Sequence, residues 1–215
     1  MVIAGGLRAA FRTTVGAARE DDRIVPAKGV IVEMSERVIR IEPYDPAWRE
    51  RFGELGVRLR DALGDVALRI DHIGSTAVPE LAAKPVIDVQ ISVAALEPVE
   101  PFRRPLERLG FVYRPGNAER TKRYFRESPG ERRTHIHVRT AGSFSEQFPL
   151  LLRDYLREHP EELTQYEQLK RGLAQQYGGD RVGYTDAKVP WFWQTIRRAD
   201  AWAQRTGWEV GPSDA

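Results

Sequence analysis

The run Ile70-Asp71-His72-Ile73-Gly74-Ser75-Thr76-Ala77-Val78-Pro79, followed after Glu80 by Leu81-Ala82-Ala83-Lys84-Pro85-Val86-Ile87-Asp88-Val89-Gln90-Ile91-Ser92-Val93, reads as strand, turn and strand. Ile87, Val89, Ile91 and Val93 alternate with Asp88, Gln90 and Ser92, and a period of two puts the two sets on opposite faces whatever the fold. The first strand is expected from about Val66 to Ile73. Gly74-Ser75 at its end can bring backbone amides close to a phosphate, with the Ser75 hydroxyl adding a hydrogen bond, although such a turn also serves as a plain connection. Asp88 needs a partner, because an unpaired carboxylate on a buried strand face is costly. Either a cation such as Lys84 or an Arg supplies it, or a divalent metal beside nucleotide phosphates does.

Outward from this run the elements alternate and then turn wholly helical. Val38-Ile39-Arg40-Ile41 reads as a short strand, and Trp48, Phe52, Leu55, Leu59, Ala62 and Leu63 recur at helical spacing up to a stop at Gly64. A helix is expected around Pro98 to Leu109, then short strands near Phe111 to Arg114, Arg123 to Arg126 and Arg133 to Arg139. In the last third, Phe144, Phe148, Leu151, Leu152 and Tyr155 make one apolar helix face, ended by His159-Pro160. Leu163, Tyr166, Leu169, Leu173 and Tyr177 make a second, ended by Gly178-Gly179. A third runs from Pro190, tolerable in a first turn, through Ile196 to Trp202. Helices gathered after strands predict an α+β fold: a small mixed sheet flanked by helices, with a helical C-terminal segment.

His135-Ile136-His137 is the other chemically loaded stretch. On a strand both imidazoles face one side, where two histidines can share a metal ion; His72 is a further candidate ligand. Around these stretches lie Lys84, Arg153, Lys170 and Lys188, most simply read as surface charge, of which a few would be needed to neutralise a polyphosphate.

Composition narrows the choice. Over 215 residues, 33 Lys and Arg against 31 Asp and Glu leave a formal charge of +2, so general nucleic-acid binding is not expected and any phosphate site must come from how charges are placed. With no cysteine, thiolate chemistry and Cys-ligated metals are excluded, which fits a reducing, cytoplasmic setting. No apolar run approaches a membrane span. Residues 1–33 hold a single aromatic, Phe11, and read as a flexible leader. Met34, directly before the first expected strand, is an alternative start of translation. The single domain is expected over 34–205, with a tail over 206–215.

The run 70–79, Leu81 to Asp88, Thr134-His135-Ile136-His137-Val138, Arg153-Asp154-Tyr155-Leu156-Arg157-Glu158-His159-Pro160, Tyr166-Glu167-Gln168-Leu169-Lys170 and Tyr184-Thr185-Asp186-Ala187-Lys188 together resemble the signature of the GrpB family. The resemblance covers about Ile41 to Trp202, with the motifs in family order. It implies a nucleotidyltransferase-type fold, shared with DNA polymerase beta-like enzymes and kanamycin nucleotidyltransferases. In that superfamily a Gly-Ser turn holds phosphates and an acidic pair on the next strand, helped by a third carboxylate, carries magnesium. Gly74, Ser75 and Asp88 match by position. Gln90 stands at the second acidic position without a charge to offer, and the His-x-His strand takes the place of the third carboxylate. The family also occurs joined to dephospho-CoA kinase in some bacteria, which hints at coenzyme A or nucleotide metabolism.

Two readings follow. In the first, a nucleotidyltransferase-like enzyme binds a nucleoside triphosphate and acts on a small-molecule acceptor. Gly74, Ser75, Lys84, Arg153, Lys170 and Lys188 then hold the nucleotide, Asp88 with His135 and His137 holds a divalent metal (Mg, Mn or Zn), and Asp88 and Ser75 are the catalytic candidates. In the second, favoured by Gln90, the protein is a non-catalytic module for a nucleotide or coenzyme A-related ligand.

Overall fold

The apolar period after Pro46 folds as helix α1, Ala47–Leu63, in the computed structural model, which describes residues 38–215. Asp45 Oδ1 accepts from the Ala47 amide (3.0 Å) at the start, and Gly64 ends the helix at φ 50°. After a 3₁₀ turn at Gly64–Val66 comes β1, Arg69–Ile73; a second such turn, Ser75–Ala77, leads towards β2, Ile87–Val93. Helix α2 (Glu100–Arg108) then precedes β3 (Phe111–Tyr113), β4 (Arg123–Glu127) and β5 (Thr134–Thr140). Four helices follow: α3 (Phe144–Glu158), α4 (Pro160–Tyr177), α5 (Arg181–Ala187) and α6 (Val189–Thr206). None of the described helices is long and apolar enough to cross a membrane.

The sheet runs β1-β2-β5-β4-β3, with β2 and β5 parallel and the other pairs antiparallel. Its period-two faces diverge sharply in chemistry. On one face Ile70, Val89, Ile91, Ile136, Val138 and Phe125 meet Trp48, Phe52, Leu59 and Leu63 of α1 and Phe102 and Leu106 of α2 in the main core. The other face carries Asp88, Gln90 and Ser92 of β2 opposite His135, His137 and Arg139 of β5. Over it lie α3 to α6. Their own apolar cluster joins Tyr155, Leu156, Tyr166, Ile196 and Ala199 to Val78 and Leu81, which follow the Ser75 turn. Glu162 braces this layer, accepting from Tyr155 Oη (3.0 Å) and from Arg198 Nε (2.5 Å) and Nη2 (2.7 Å). Arg157 holds the turn itself through two hydrogen bonds to the Ala77 carbonyl (3.1 and 2.9 Å).

Three local departures from the sequence expectations have physical causes. Val38–Ile41 is not a strand: Ile39 buries its side chain but donates its amide to Gly178 O (3.0 Å), and only Glu42 pairs with a sheet-side residue, through a bridge to Ala83. Helix α5 was not expected; it is short, and Asp180 starts it by accepting from the Gly183 amide. The stretch expected as a tail extends α6 to Thr206, and residues 208–215 then return along the free edge of β1. Ser213 Oγ accepts from the Ile70 amide (2.8 Å), Ala215 donates to the Ile70 carbonyl (3.1 Å), and Asp214 Oδ2 accepts from the His72 amide (2.9 Å). Edge-strand groups that would otherwise seek a partner are thereby satisfied. The leader over 1–33 and Met34 lie outside the described residues.

Candidate functional site

Parallel pairing of β2 with β5 sets Asp88 opposite His135 and Gln90 opposite His137. Asp88 Oδ1 lies 3.1 Å from His135 Nδ1 and 3.3 Å from His137 Nε2, and one ligand atom from each residue falls within 4.8 Å of the others. Tyr124 of β4, opposite His137, packs its ring against both imidazoles, at centroid distances of 5.7 and 5.3 Å. Burial acts to raise the Asp88 carboxyl, but hydrogen bonds from the two imidazoles outweigh it and hold the group below the usual carboxylate range. Burial, then the nearby Lys122 charge, pushes His137 down to about 3 against the pull of Asp88. His137 is thus a neutral imidazole at physiological pH, with its one proton on the Nε2 that faces Asp88. In the bare site the inward nitrogens donate to Asp88, so metal binding would move each proton to the outer nitrogen, Nδ1 of His137 and Nε2 of His135, both buried without a hydrogen-bond partner. Two imidazole nitrogens and one carboxylate oxygen fit zinc or manganese better than magnesium, which prefers an all-oxygen shell.

Gly74 closes this group from above. At φ 72° it occupies the left-handed side of backbone space, and a Cβ there would sit 2.7 Å from Asp88 Oδ2 and 3.2 Å from Asp88 Cβ. Only glycine lets the turn rest on the carboxylate. The next residue, Ser75, hydrogen-bonds Tyr166 of α4, whose phenol burial pushes up.

Beside the triad opens a cleft of about 270 Å³ between the sheet and the helical layer. Its walls combine Ser75, Asp88 and His135 with apolar Phe148, Leu152 and Phe192. Three lysines far apart in sequence also converge there: Lys84, Lys170 of α4, and Lys188 at the start of α6. Lys84 and Lys188 lie over the Tyr184 ring at 4.8 and 4.5 Å; Lys170 lies 4.4 Å from the Tyr166 ring and donates to the Ala82 carbonyl. None has a carboxylate within salt-bridge distance among the described residues. Burial, reinforced by the charge of neighbouring lysines, pushes Lys170 and Lys188 down to about 7, and burial lowers Lys84 as well against the pull of Asp88. Three lysines with an open cleft in front of them can take up charge when a multiply charged anion enters.

The remaining candidates separate. Arg153 lines the cleft, but its guanidinium is engaged within the fold, by Asp154 Oδ1 (2.7 Å), Asp214 Oδ2 (2.8 Å) and the His72 carbonyl (3.2 Å). His72 cannot complete the metal site. It points to the α1 face, stacks on Phe52 at 4.7 Å and meets Thr76 Oγ1 at 3.0 Å, and burial pushes it down to about 4. Gln90 shares the triad's face yet is fully buried, donating through Nε2 to the Glu146 carbonyl of α3 (3.0 Å). Where a second acid would stand, an amide is tied to the helix. Tyr124 and Tyr184 carry no signal of a site role in the sequence, although Tyr184 opens one of the quoted motifs.

A small mixed sheet with a Gly-Ser turn resting on a strand Asp, roofed by helices, defines the nucleotidyltransferase-like class of α+β fold. The GrpB protein family matches residues 38–198, and this chain belongs to it. The crystal structure of GrpB from Enterococcus faecalis is similar with a TM-score of 0.68 and 35% identity, covering 74% of this chain and 96% of that one. Among curated relatives, a protein named dephospho-CoA kinase from Mycolicibacterium paratuberculosis is 35% identical over 88% of this chain and 53% of its own length. The UPF0157 protein YqkA of Bacillus subtilis is 32% identical over 94% of this chain and 58% of its own. The chain thus spans little more than half of these two proteins. The UPF0157 protein SCO7215 of Streptomyces coelicolor is 37% identical over 70% of this chain and 78% of its own.

Proposed function

We propose that this protein is a cytoplasmic, metal-dependent, nucleotidyltransferase-like enzyme that binds a nucleoside triphosphate and acts on a small-molecule acceptor. The observation that carries the reading is the lysine trio without a salt-bridge partner among the described residues, facing a cleft lined by Asp88 and His135 of the triad, with His137 behind them. Lys84, Lys170 and Lys188 receive the phosphate oxygens and gain the close counter-charge that Asp88 and Glu167, beyond salt-bridge distance, do not give them. Gly74 and Ser75 bring the turn against the chain of phosphates, and the apolar wall at Phe148, Leu152 and Phe192 takes the nucleoside. A divalent ion held by the triad would supply Lewis-acid polarisation of a phosphoryl oxygen. In the transfer, the acceptor's nucleophilic oxygen bonds to the α-phosphorus as the bond to the β-phosphate oxygen breaks; pyrophosphate leaves and the acceptor's proton passes to solvent.

A second reading, a binding module without transfer chemistry, draws on Gln90, whose amide is committed to the Glu146 carbonyl. Relatives named dephospho-CoA kinase support a place for either reading near coenzyme A metabolism. Incubation with labelled nucleoside triphosphates and a metabolite extract separates the two. The enzyme yields labelled product that disappears in Asp88→Asn; saturable nucleotide binding with no product from the wild type would leave only the module.

A further inference from the structure

Beyond Tyr124, on the far side of the triad from the lysine cleft, the β3–β4 loop encloses a second cavity of about 130 Å³. Tyr124 borders both: its ring lies against His135 and His137, and it also lines this cavity. The lining is polar apart from Pro115 and the rings of Tyr113 and Tyr124, and it is rich in cations. Arg123 is paired with Glu97 (2.6 Å). Lys122 shares Glu119 (2.8 Å) with Arg139 (2.7 Å), so one buried carboxylate answers two buried cations. Arg114 and Arg120, exposed at the mouth, have no ion pair among the described residues. Two free guanidinium forks at the mouth of a small polar cavity match an oxyanion held by parallel N–H donors. The lining offers almost no apolar surface to a base or an acyl chain.

We propose that this cavity binds a small anionic molecule, bearing a carboxylate or a phosphate group gripped by Arg114 and Arg120, and that this molecule is the acceptor. The role as acceptor rests on the transfer reading above; the binding does not. The sheet order supports it, since the lysine cleft draws on β2 and β5 while the second cavity is built on β3 and β4, so the two spaces flank the histidine pair. Two substrates meeting at one centre need such an arrangement.

Backbone-amide NMR of the full chain, titrated at constant ionic strength with citrate in one arm and inorganic phosphate in the other, tests the site. We expect saturable shifts confined to residues 113–124, with affinity at least tenfold weaker in Arg114→Ala/Arg120→Ala, both exposed positions, while tripolyphosphate still perturbs the lysine cleft. The stronger arm identifies the head group. Shifts only around Gly74, Lys170 and Lys188, equal affinity in the double variant, or no saturable shift in either arm would overturn the site. A double variant that loses anion binding yet forms labelled product at the wild-type rate would overturn the acceptor role alone, and failure of tripolyphosphate to bind would speak against the nucleotide cleft while leaving this cavity standing.

Discussion

Without an added anion, the stability of this protein should rise as pH increases from 7 towards 10. Lys170 and Lys188 sit at about 7 in the folded chain against an ordinary 10.5. Between those two values the unfolded chain holds protons that the folded chain has shed, so raising the pH favours the folded state. The destabilisation is fully present below about 7 and is gone above the unfolded value. Each lysine adds a slope of up to ~1.4 kcal/mol per pH unit, so from pH 7.5 to 8.5 the pair should give a gain of at least ~1 kcal/mol even where the shifts are partial. Urea denaturation at pH 7.5, 8.0 and 8.5 reads this directly, and Lys170→Met/Lys188→Met should flatten the slope while raising stability at pH 7.5. Tripolyphosphate should reverse the trend, because phosphate oxygens restore the lysines to their charged form; its binding takes up protons and weakens as pH rises. A wild-type stability that is flat or falls over this interval, or a double variant with an unchanged slope, would refute the claim that the lysines are buried without a salt-bridge partner.

Two further substitutions probe the surroundings. Gly74→Ala places a methyl group 2.7 Å from Asp88 Oδ2 at a positive φ, and should cost about 1–3 kcal/mol of stability and weaken manganese binding, read by thermal denaturation and calorimetry. Arg153→Met leaves Asp71, Asp154 and Asp214 without their shared cation; it should destabilise the fold by about 3–5 kcal/mol in denaturant titration yet leave tripolyphosphate affinity of the folded protein within threefold of wild type.

The strict alternation through Ile87 to Val93 makes the two sheet faces legible in the sequence alone, and the same period places His135 and His137 together. What one strand cannot reveal is its neighbour. Asp88 meets His135 because β2 and β5 pair in parallel across 47 residues of chain, a choice made by core packing of Val89 and Ile91 against Ile136 and Val138. His72 illustrates the same limit from the other side. One residue along β1 decides a face, and His72 falls in register with Val89 on the core side while Asp71 faces Gln90. Lys84, Lys170 and Lys188 are visible as candidates, but their lack of a salt-bridge partner among the described residues arises only when α4 and α6 fold over the Ser75 turn. The edge-covering stretch at 208–215 has no alternating pattern to announce it, since Ser213 and Asp214 pair with β1 partly through side chains.

The central claim is that Asp88, His135 and His137 hold a metal beside a phosphate-binding cleft. Calorimetric titration of the full chain with manganese or zinc, followed by a nucleoside triphosphate, tests it most directly. The expected result is one metal bound per chain, affinity at least tenfold weaker in His137→Ala, and tighter triphosphate binding once the metal is present. Equal, negligible metal heats for wild type and variant would contradict it.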